Sequence, residues 1–553
     1  MCGIFGIIGT NTDAPQKTFK GLSDIEYRGY DSWGIAYPSD GKFKVIKKIG
    51  FLPKEIPKEI RQAHSKQVRD DKEAILAIGH TRWATHGGVT EANAHPHTDC
   101  SGKLAIVHNG IVENYLELKK TLKSHKFKSE TDTEVIIHLI EDEYMRSHNL
   151  TKSVSNVFKK LQGLSALVVS DGKEIVAAKA GSPLVAGIAD GKFLIASDPN
   201  ALLPHTKKLL FLEDSQMVVL NSKLSLFHLG GGADTTPGEL KPNFTKVDWE
   251  YSSAKLNKEP YFMLKEIHEQ PAVLRTISKN LEGIEKVAGL IKKAFGTYLI
   301  GCGTASYACL AGVYLFSNFA KKHVNFSVGS EFNYIQDYLT PKSLLIAVSQ
   351  SGESMDTLEP VKEAKRRGAK IVGLVNVLGS SLFRIADYPL LLQAGVEKGV
   401  ASTKALTAML ANILLLTFAV TGKLKEGQKI VRQSADEVEK VIRQEKLITS
   451  LASKIKNVDH IYVLGRGLSY PIALESALKI KEVSYIHAEG FASGELKHGV
   501  IALVEKGTPV ICFVPNDETK DAMLANAMEV KSRGAFVIGI SPESNPVFDF
   551  FFE

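Results

Sequence analysis

The chain has 553 residues, 44% hydrophobic and 23% charged, a balance typical of a folded globular protein. This length exceeds what one hydrophobic core supports, so several domains are expected. The net charge of +7 is spread along the chain, which argues against a nucleic-acid-binding protein. Five cysteines without paired spacing, no signal peptide and no membrane-length apolar run predict a reducing, cytoplasmic location.

The most informative residue is Cys2, at the second position of the chain. Removal of Met1 would leave one residue that carries both a thiol and the free α-amino group. The thiolate is the nucleophilic form of cysteine, and an α-amine with a pKa near 8 is a base of matching strength. Cys2 is therefore predicted to be a nucleophile with its own general base; the alternative is an accidental cysteine at a start site.

Short β-type runs dominate the first 230 residues and predict antiparallel sheets with a few helices. The runs are Ile4–Ile8, Ala74–Ile78, Leu104–Val107, Ala166–Val169, Phe193–Ala196 and Met217–Leu220. A polar, glycine-rich stretch at residues 230–258 then predicts a linker.

Polar clusters in this half predict a site for an amide substrate with an α-amino and an α-carboxylate group. Arg82, after a strand, would pair with the carboxylate. Asp132 would pair with the ammonium, although its segment is also typical of a helix cap. Asn109 and the Gly110 N–H would form an oxyanion hole.

The second half alternates strands with amphipathic helices, the pattern of parallel α/β units. A strand runs into a glycine turn at Tyr298–Gly303 and again at Ile461–Gly467, and the segment Arg367–Leu374 recurs as Arg533–Ile540. Both landmarks recur about 165 residues later, which indicates an internal repeat. This half is predicted to be two copies of one doubly wound domain.

The two copies differ in one loop. In the first copy, strand Leu344–Val348 leads through the serine-rich segment Ser349–Ser354 into a helix, so that hydroxyls, backbone N–H groups and a helix N-terminus predict a phosphate site. The alternative is ordinary turn chemistry. The matching loop of the second copy, residues 515–519, is acidic, so one phosphosugar for each pair of copies is predicted.

Three further side chains of the second half are suited to sugar isomerisation, which needs an acid and a base for ring opening and proton transfer. Lys479 and Glu482 lie in a helical run, and His498 follows a glycine-broken loop. Alternatively, Lys479 and Glu482 form a surface pair and His498 is a loop histidine.

With these residues the chain resembles the isomerising glutamine–fructose-6-phosphate aminotransferase family, the glucosamine-6-phosphate synthases. The first half is similar to a class II, N-terminal-nucleophile glutaminase domain of αββα architecture, and the second to tandem sugar isomerase domains. The matching segments are residues 2–4, 26–32, 81–87, 93–97, 108–110, 129–134, 302–304, 349–353, 399–405 and 488–499. The expected domains are residues 2–230, 259–425 and 426–553, joined by a linker at 231–258.

The resemblance implies a role for each site residue. Cys2 would be the glutaminase nucleophile, with Asn109 and Gly110 as oxyanion donors. Glutamine would be held by Arg82, Trp83, Thr85, His86 and Asp132, with Trp83 also gating an ammonia channel. The phosphosugar would contact Thr304, Ser349, Gln350, Ser351, Ser354, Val400 and Ser402. Isomerisation would use Glu482 to move the proton, His498 to open the ring, and Lys479 as a catalytic neighbour.

The end of the second copy departs from this pattern. In the first copy, strand Leu390–Gln393 leads to helix Ala401–Val420, and the same offset places the matching helix beyond Glu553. The family's C-terminal tail, with a lysine thought to form an imine with the open sugar, also has no counterpart. The last domain is therefore expected to be truncated, the apolar run Val547–Phe552 to be exposed, and synthase activity to be low.

The expected activity is conversion of fructose 6-phosphate and glutamine to glucosamine 6-phosphate. We expect a homodimer formed through the isomerase domains and no metal or organic cofactor, since His95 and His97 lack an apparent third ligand and favour a structured loop. Three alternatives remain: a glutaminase with an inert synthase half, another amidotransferase, such as one feeding phosphoribosyl diphosphate, and a phosphosugar sensor. The isomerase repeats argue against the second and Cys2 against the third.

The assignment of Cys2 can be tested directly. Cys2→Ala, or a blocked N-terminus, should abolish glutamine hydrolysis because nucleophile or base is lost, while fructose 6-phosphate binding stays nearly unchanged. The measurements are glutamate release and calorimetric sugar-phosphate binding. Glutaminase activity unchanged in Cys2→Ala would overturn the assignment.

Overall fold

The computed structural model describes residues 2–10, 13–63, 75–230, 238–247, 256 and 259–553. The chain divides into two compact units, Met1–Ser253 and Ala254–Glu553. Among the described helices, none combines the length and apolar character that a membrane crossing requires.

The described residues of the first unit form fifteen strands in two sheets. The strands are β1 (Gly3–Gly9), β2 (Ser32–Ser39), β3 (Lys42–Ile49), β4 (Ile75–Arg82), β5 (His97–Thr98), β6 (Ala105–Gly110), β7 (Ser165–Ser170), β8 (Ile175–Ala180), β9 (Val185–Ala189), β10 (Lys192–Ala196), β11 (Lys208–Phe211), β12 (Gln216–Leu220), β13 (Leu224–His228), β14 (Gly238–Leu240) and β15 (Thr245–Lys246). One sheet has the order β15-β11-β9-β10-β1-β4-β2-β3 and the other β14-β13-β12-β8-β7-β6-β5. The described strands of both sheets pair antiparallel, as predicted.

Helices flank both sheets of the first unit. They are α1 (Ala14–Asp24), α2 (Lys58–Arg61), α3 (Tyr115–Thr121), α4 (Asp132–Ser147) and α5 (Leu150–Phe158), with short 3-10 turns at Glu26–Arg28 and Pro199–Ala201. Apolar residues of α1 pack on the first sheet, and those of α4 and α5 pack on the second. The expected αββα architecture is confirmed.

Strand β1 shows why the two sheets face each other. Its alternate residues point to opposite faces, so Phe5 and Ile7 join the α1 side while Ile4 and Ile8 enter the core between the sheets. All seven residues of β1 are buried. The strand therefore lies at the centre of the unit and carries Cys2 at its beginning.

Part of the predicted linker is ordered as strands. The segment Gly238–Leu240 pairs with β13, and Thr245–Lys246 pairs with β11, so each adds an edge strand to one sheet of the first unit. Their polar composition is typical of sheet edges, where one side of the strand faces water. The domain boundaries drawn from the sequence stay a prediction.

The second unit contains two parallel sheets. The strands are β16 (Gly296–Gly301), β17 (Asn325–Val328), β18 (Ser343–Ser349), β19 (Lys370–Val375), β20 (Tyr388–Leu391), β21 (His460–Gly465), β22 (His487–Ala492), β23 (Pro509–Phe513), β24 (Phe536–Ile540) and β25 (Phe550–Phe552). The sheet orders are β17-β16-β18-β19-β20 and β22-β21-β23-β24-β25. The same order appears in both sheets, which confirms the predicted repeat of a doubly wound domain.

Helices of the second unit follow the strands. They are α6 (Phe262–Ile277), α7 (Ile284–Lys293), α8 (Thr304–Leu315), α9 (Gly329–Phe332), α10 (Met355–Arg366), α11 (Ser381–Ile385), α12 (Lys404–Val420), α13 (Leu424–Ile442), α14 (Glu445–Ile455), α15 (Ser469–Ser484) and α16 (Lys520–Ser532). A π-helical turn, Phe316–Ala320, extends α8, and 3-10 turns span Ser493–His498 and Val500–Leu503.

Two elements of the second unit have boundaries that differ from the sequence prediction by more than one residue. Strand β20 lies two residues earlier than predicted, and α12 begins at Lys404 rather than Ala401. The later start has a physical cause, because the Glu397 carboxylate accepts the backbone N–H groups of Thr403 and Ala405, at 2.9 and 3.1 Å. This side chain caps the helix from outside it.

The prediction that the run Val547–Phe552 is exposed is wrong. Phe550–Phe552 pairs with β24, and Val547 and Phe552 are buried. The ring of Phe548 fills the space above Gly539, where a Cβ would lie only 2.4 Å from the ring. The apolar side chains of this run therefore pack against the second parallel sheet of the chain.

Candidate active sites

The first candidate site surrounds Cys2. Residue 3 lies opposite Thr81 in the β1–β4 ladder, so Cys2 lies beside the end of β4. The Trp83 N–H donates to the Cys2 sulfur at 3.3 Å. Burial raises the pKa of the Cys2 thiol, against the lowering effect of that hydrogen bond. The thiol therefore needs a base at neutral pH, which a free α-amine would supply.

Asn109 lies at the end of β6 in the other sheet, and its amide Nδ2 donates to the Cys2 carbonyl oxygen at 3.0 Å. Its Oδ1 accepts from His80 Nε2 at 2.9 Å, and His108 O lies 3.0 Å from the same nitrogen. Burial lowers the pKa of His80 to about 3, so the ring is neutral and donates through Nε2. His80 thus orients the amide with its donor toward Cys2. Sequence reasoning missed His80, which directly precedes the matched segment 81–87 and was assigned no role.

Gly110 follows Asn109 and adopts a φ of +130°. A Cβ at this position would lie 1.9 Å from the carbonyl oxygen of Leu164, so only glycine fits. The close approach of the Leu164 carbonyl therefore excludes any side chain at this position of the proposed oxyanion hole.

Arg82 is buried at the end of β4. Its guanidinium donates to the carbonyl oxygens of His86, Gly87 and Gly88 at 2.5, 3.0 and 3.1 Å. These bonds fold the segment after β4 into a loop around the cation. Asp31 fixes the same segment, because its Oδ2 accepts the Ala84 N–H at 2.8 Å. Asp31 belongs to the matched segment 26–32, so this hydrogen bond gives that segment a structural role.

The remaining predicted glutamine contacts surround this loop. Asp132 is the first residue of α4, and its Oδ2 accepts the Val112 N–H at 2.7 Å. Thr85 is exposed, and Trp83 is 38% exposed with its ring edge-on to Tyr30. His86 packs edge-on against Tyr115 at 4.4 Å.

The His95-Pro96-His97 segment forms a packed turn that leads into strand β5, beside His80. The ring of His95 stacks on His80 with centroids 4.3 Å apart, and His97 Nε2 lies 3.0 Å from Thr131 Oγ1. Burial lowers the pKa of both imidazoles well below the usual value. These contacts support the interpretation as a structured loop.

The second candidate site lies at the carboxyl ends of β16 and β18, where the strand order of the first parallel sheet reverses. Ligands bind at this switch point in open α/β sheets. Ser349 is buried and its Oγ accepts the Gly352 N–H at 3.0 Å, while Ser351 Oγ accepts the Glu353 N–H at 3.2 Å. Gly352 has a φ of +67°, and a Cβ there would lie 2.1 Å from Ser380 Oγ.

Further predicted phosphosugar contacts lie on the same edge. Gln350 O accepts the Asn376 N–H at 3.1 Å, and Ser354 precedes helix α10 as its N-cap. Ser402 Oγ donates to Glu397 at 2.9 Å, whereas Val400 is 55% exposed.

The loop that carries Val400 is held by Glu266, a residue of α6 that sequence reasoning missed. Its carboxylate accepts the Lys398 N–H at 2.5 Å and the Gly399 N–H at 3.0 Å. Burial raises the pKa of Glu266 to about 7. A Cβ on Gly399 would lie 2.5 Å from Glu266 Oε2, so a larger residue here would displace the carboxylate that holds the loop.

The two copies of the repeat meet at Thr304. Its Oγ1 donates to Glu475 at 3.0 Å and accepts from Lys479 Nζ at 2.9 Å. The ammonium of Lys479 also lies 2.7 Å from Glu482. The structure thus joins a predicted phosphosugar residue to two predicted isomerisation residues. Glu475 was missed, and burial raises the pKa of its carboxyl group.

His498 is the remaining predicted isomerisation residue. It is the exposed last residue of the 3-10 turn Ser493–His498. Among the described residues, its imidazole forms no hydrogen bond to Lys479 or Glu482. In the second copy, the loop that matches Ser349–Ser354 contains an internal hydrogen bond, in which Asp517 Oδ1 accepts from Thr519 Oγ1 at 2.6 Å.

We predict that His80→Leu lowers kcat for glutamine hydrolysis about 10- to 100-fold. This loss is smaller than the loss caused by deleting an oxyanion donor. The Asn109 amide would lose its orientation, while the glutamine KM should change little. His80→Gln, which restores an N–H donor, should recover part of the rate. Because the pKa of His80 is about 3, its ionisation should leave no inflection near pH 6.5. A His80→Leu rate equal to the unmodified rate would contradict the positioning role.

We also predict that Ser349→Ala with Ser351→Ala weakens fructose 6-phosphate binding at least about tenfold, since each lost donor to a charged group costs roughly 1.5–3 kcal/mol. Thr519→Ala, in the acidic loop of the second copy, is the matched control and should change binding little. Isothermal titration calorimetry measures both. Equal effects at the two loops would show that the copies do not differ in phosphate binding.

Known protein families and relatives match both units of the chain. A SIS domain model matches residues 290–419 and 454–547, and a glutamine amidotransferase domain model matches residues 80–204. The glutamine–fructose-6-phosphate aminotransferase (isomerising) of Thermus thermophilus is 41% identical over 99% of this chain and 91% of its own length. That of Pyrococcus horikoshii is 40% identical over 98% and 90%.

A solved structure supports the fold of the second unit. The C-terminal domain of glucosamine-fructose-6-phosphate aminotransferase from Francisella tularensis aligns with a TM-score of 0.50 and 34% identity, covering 54% of this chain and 90% of that chain. Since relatives of about 40% identity cover nearly the whole chain, it belongs to the glutamine–fructose-6-phosphate aminotransferase (isomerising) family.

Proposed function

We propose that the chain converts fructose 6-phosphate and glutamine to glucosamine 6-phosphate and glutamate. The observation that carries the proposal for the first unit is the Asn109 amide, which donates to the Cys2 carbonyl oxygen at 3.0 Å beside the nucleophilic sulfur. For the second unit it is Thr304, which contacts Lys479 at 2.9 Å. Family membership links the two activities in one chain.

In the first unit, the Cys2 α-amine, once Met1 is removed, takes the thiol proton. The sulfur then attacks the carboxamide carbon of glutamine, and the oxyanion is stabilised by Asn109 Nδ2 and the Gly110 N–H. The amine returns its proton to the leaving nitrogen, which departs as ammonia. Water hydrolyses the thioester and releases glutamate. Arg82 and Asp132 would hold the α-carboxylate and the α-ammonium.

Thr85, His86 and Trp83 would complete the glutamine pocket. Their segment is already folded around the Arg82 cation by three hydrogen bonds to carbonyl oxygens. This preorganisation supports a binding role, because little loop entropy is lost when glutamine binds.

In the second unit, the hydroxyls of Ser349, Ser351 and Ser354, with Thr304 and Gln350, would hold the phosphate. Val400 and Ser402 would line the sugar pocket. After ring opening and amination at C2, Glu482 would move a proton between C1 and C2, with Lys479 holding its carboxylate at 2.7 Å.

His498 is assigned to ring opening by the family resemblance alone. Its exposed position leaves the imidazole accessible to a second copy of the chain. We therefore propose a homodimer formed through the isomerase domains, with measurement of the molar mass by light scattering as its test. The free state of all five cysteines supports a reducing, cytoplasmic location.

The function is tested with amide-labelled ¹⁵N-glutamine and fructose 6-phosphate in the presence of excess unlabelled ammonium. We expect labelled glucosamine 6-phosphate and matching glutamate release, because the ammonia should pass to the sugar without mixing with the solvent. Mass spectrometry of the product measures the label. Cys2→Ala should remove the labelled product.

The other functions give different results. Glutamate release without aminated sugar would indicate a glutaminase with an inert synthase half. Binding of fructose 6-phosphate without either product would indicate a sensor. Unlabelled product alone would show that ammonia is not transferred within the protein.

A further inference from the structure

A cluster of four side chains in the first unit takes no part in the proposed glutaminase reaction. Cys100 lies in the turn between β5 and β6, His125 lies in the segment before α4, and His138 and Glu141 lie three residues apart on α4. One ligand-type atom from each residue falls within 4.8 Å of all the others. Three separate segments of chain therefore direct metal-binding groups toward one point.

Four separations between these atoms are close to those around a tetrahedral ion. Cys100 Sγ lies 3.4 Å from His125 Nδ1 and 3.7 Å from His138 Nδ1. Glu141 Oε2 lies 3.0 Å from His138 Nδ1 and 3.2 Å from His125 Nδ1. With zinc bonds of about 2.3 Å to sulfur and about 2.0–2.1 Å to nitrogen or oxygen, the edges of the tetrahedron are about 3.3–3.6 Å. The observed separations lie close to these edges.

The outer nitrogens of both imidazoles face carboxylates. His125 Nε2 lies 3.0 Å from Asp142 Oδ1, and His138 Nε2 lies 3.7 Å from Glu134 Oε1. A metal-bound histidine characteristically turns its second nitrogen toward a carboxylate or carbonyl, which fixes the ring and strengthens the ligand. His125 has that arrangement at hydrogen-bond distance, whereas His138 Nε2 faces Glu134 at the longer distance of 3.7 Å, and both histidines direct Nδ1 inward.

The surroundings hold the groups in place. Glu134 accepts the N–H groups of Lys128 and Ser129 at 2.7 and 2.6 Å. These two hydrogen bonds hold its carboxylate in place beside His138. The ring of Phe127 packs edge-on against His138 at 5.0 Å. The backbone N–H of Cys100 donates to Glu141 Oε2 at 3.1 Å.

We propose that Cys100, His125, His138 and Glu141 bind one zinc ion as a structural site. A thiolate with two imidazoles selects a borderline-soft ion such as zinc over magnesium or calcium, which prefer oxygen ligands. Four protein ligands leave no open position, which is typical of a structural rather than a catalytic zinc. The ion ties the β5–β6 turn and the segment before α4 to the helix that begins at Asp132.

The competing arrangement is a hydrogen-bond network without metal, in which both imidazoles share the Glu141 carboxylate. The two differ in their spectroscopic consequence. Only a metal site converts the Cys100 sulfur into a metal-bound thiolate, because a coordinating thiol is deprotonated outright.

The test uses the full chain, freed of metal by a chelator and then titrated with cobalt or zinc. We expect one ion for each chain, a thiolate-to-cobalt charge-transfer band with tetrahedral visible bands, and a higher melting temperature with zinc. Cys100→Ser, an exposed and nearly isosteric change, should abolish the charge-transfer band. Asp142→Asn should keep the band and weaken zinc affinity by about 10- to 100-fold.

The matched control is His487→Ala, which disrupts the exposed histidine pair His460 and His487, 3.1 Å apart between Nδ1 atoms. It should keep both the stoichiometry and the cobalt spectrum. The proposal is overturned if the unmodified chain shows no thiolate band, if Cys100→Ser retains it, or if His487→Ala removes the bound ion. Because the unmodified chain itself must give the band, a folding defect in a variant cannot rescue the idea.

Discussion

The proposed glutaminase site depends on the burial of β1, which lies between two neighbouring strands and packs on both faces. A residue next to a chain terminus is ordinarily mobile. Here Gly3 is paired with Thr81 on β4, and the following residues pair with β10 on the other side. Cys2 is therefore fixed relative to the end of β4 and to Asn109 on the facing sheet, although it is the second residue of the chain.

Burial also sets the protonation states around this proposed nucleophile. It holds His80 neutral, so that the ring can only orient Asn109 and cannot act as a competing acid near neutral pH. It raises the pKa of the Cys2 thiol, which makes a nearby base necessary. The same desolvation that stabilises the sandwich core thus makes the α-amine essential to the proposed reaction.

The second unit shows how one topology supports two different copies. The strand orders are identical, yet the first copy offers serine hydroxyls at its switch point and the second offers Asp517. The copies also cooperate, since Thr304 at the start of α8 contacts Glu475 and Lys479 on α15. Duplication therefore provides one proposed site with residues from both halves. Glu266 adds a support from α6, which precedes the first sheet.

The sequence alone determined the family, the fold class, the repeat and most of the proposed site residues, because these are properties of local pattern and motif. Period-two alternation predicts strands, and a serine-rich turn between strand and helix predicts an anion site whatever lies around it. It could not identify His80, Glu266 or Glu475, whose roles arise from contacts with residues distant along the chain. It also missed that Cys100 and His125 converge with His138 and Glu141 of α4. Only tertiary packing brings these groups within bonding distance, since their spacing in sequence follows no ligand motif.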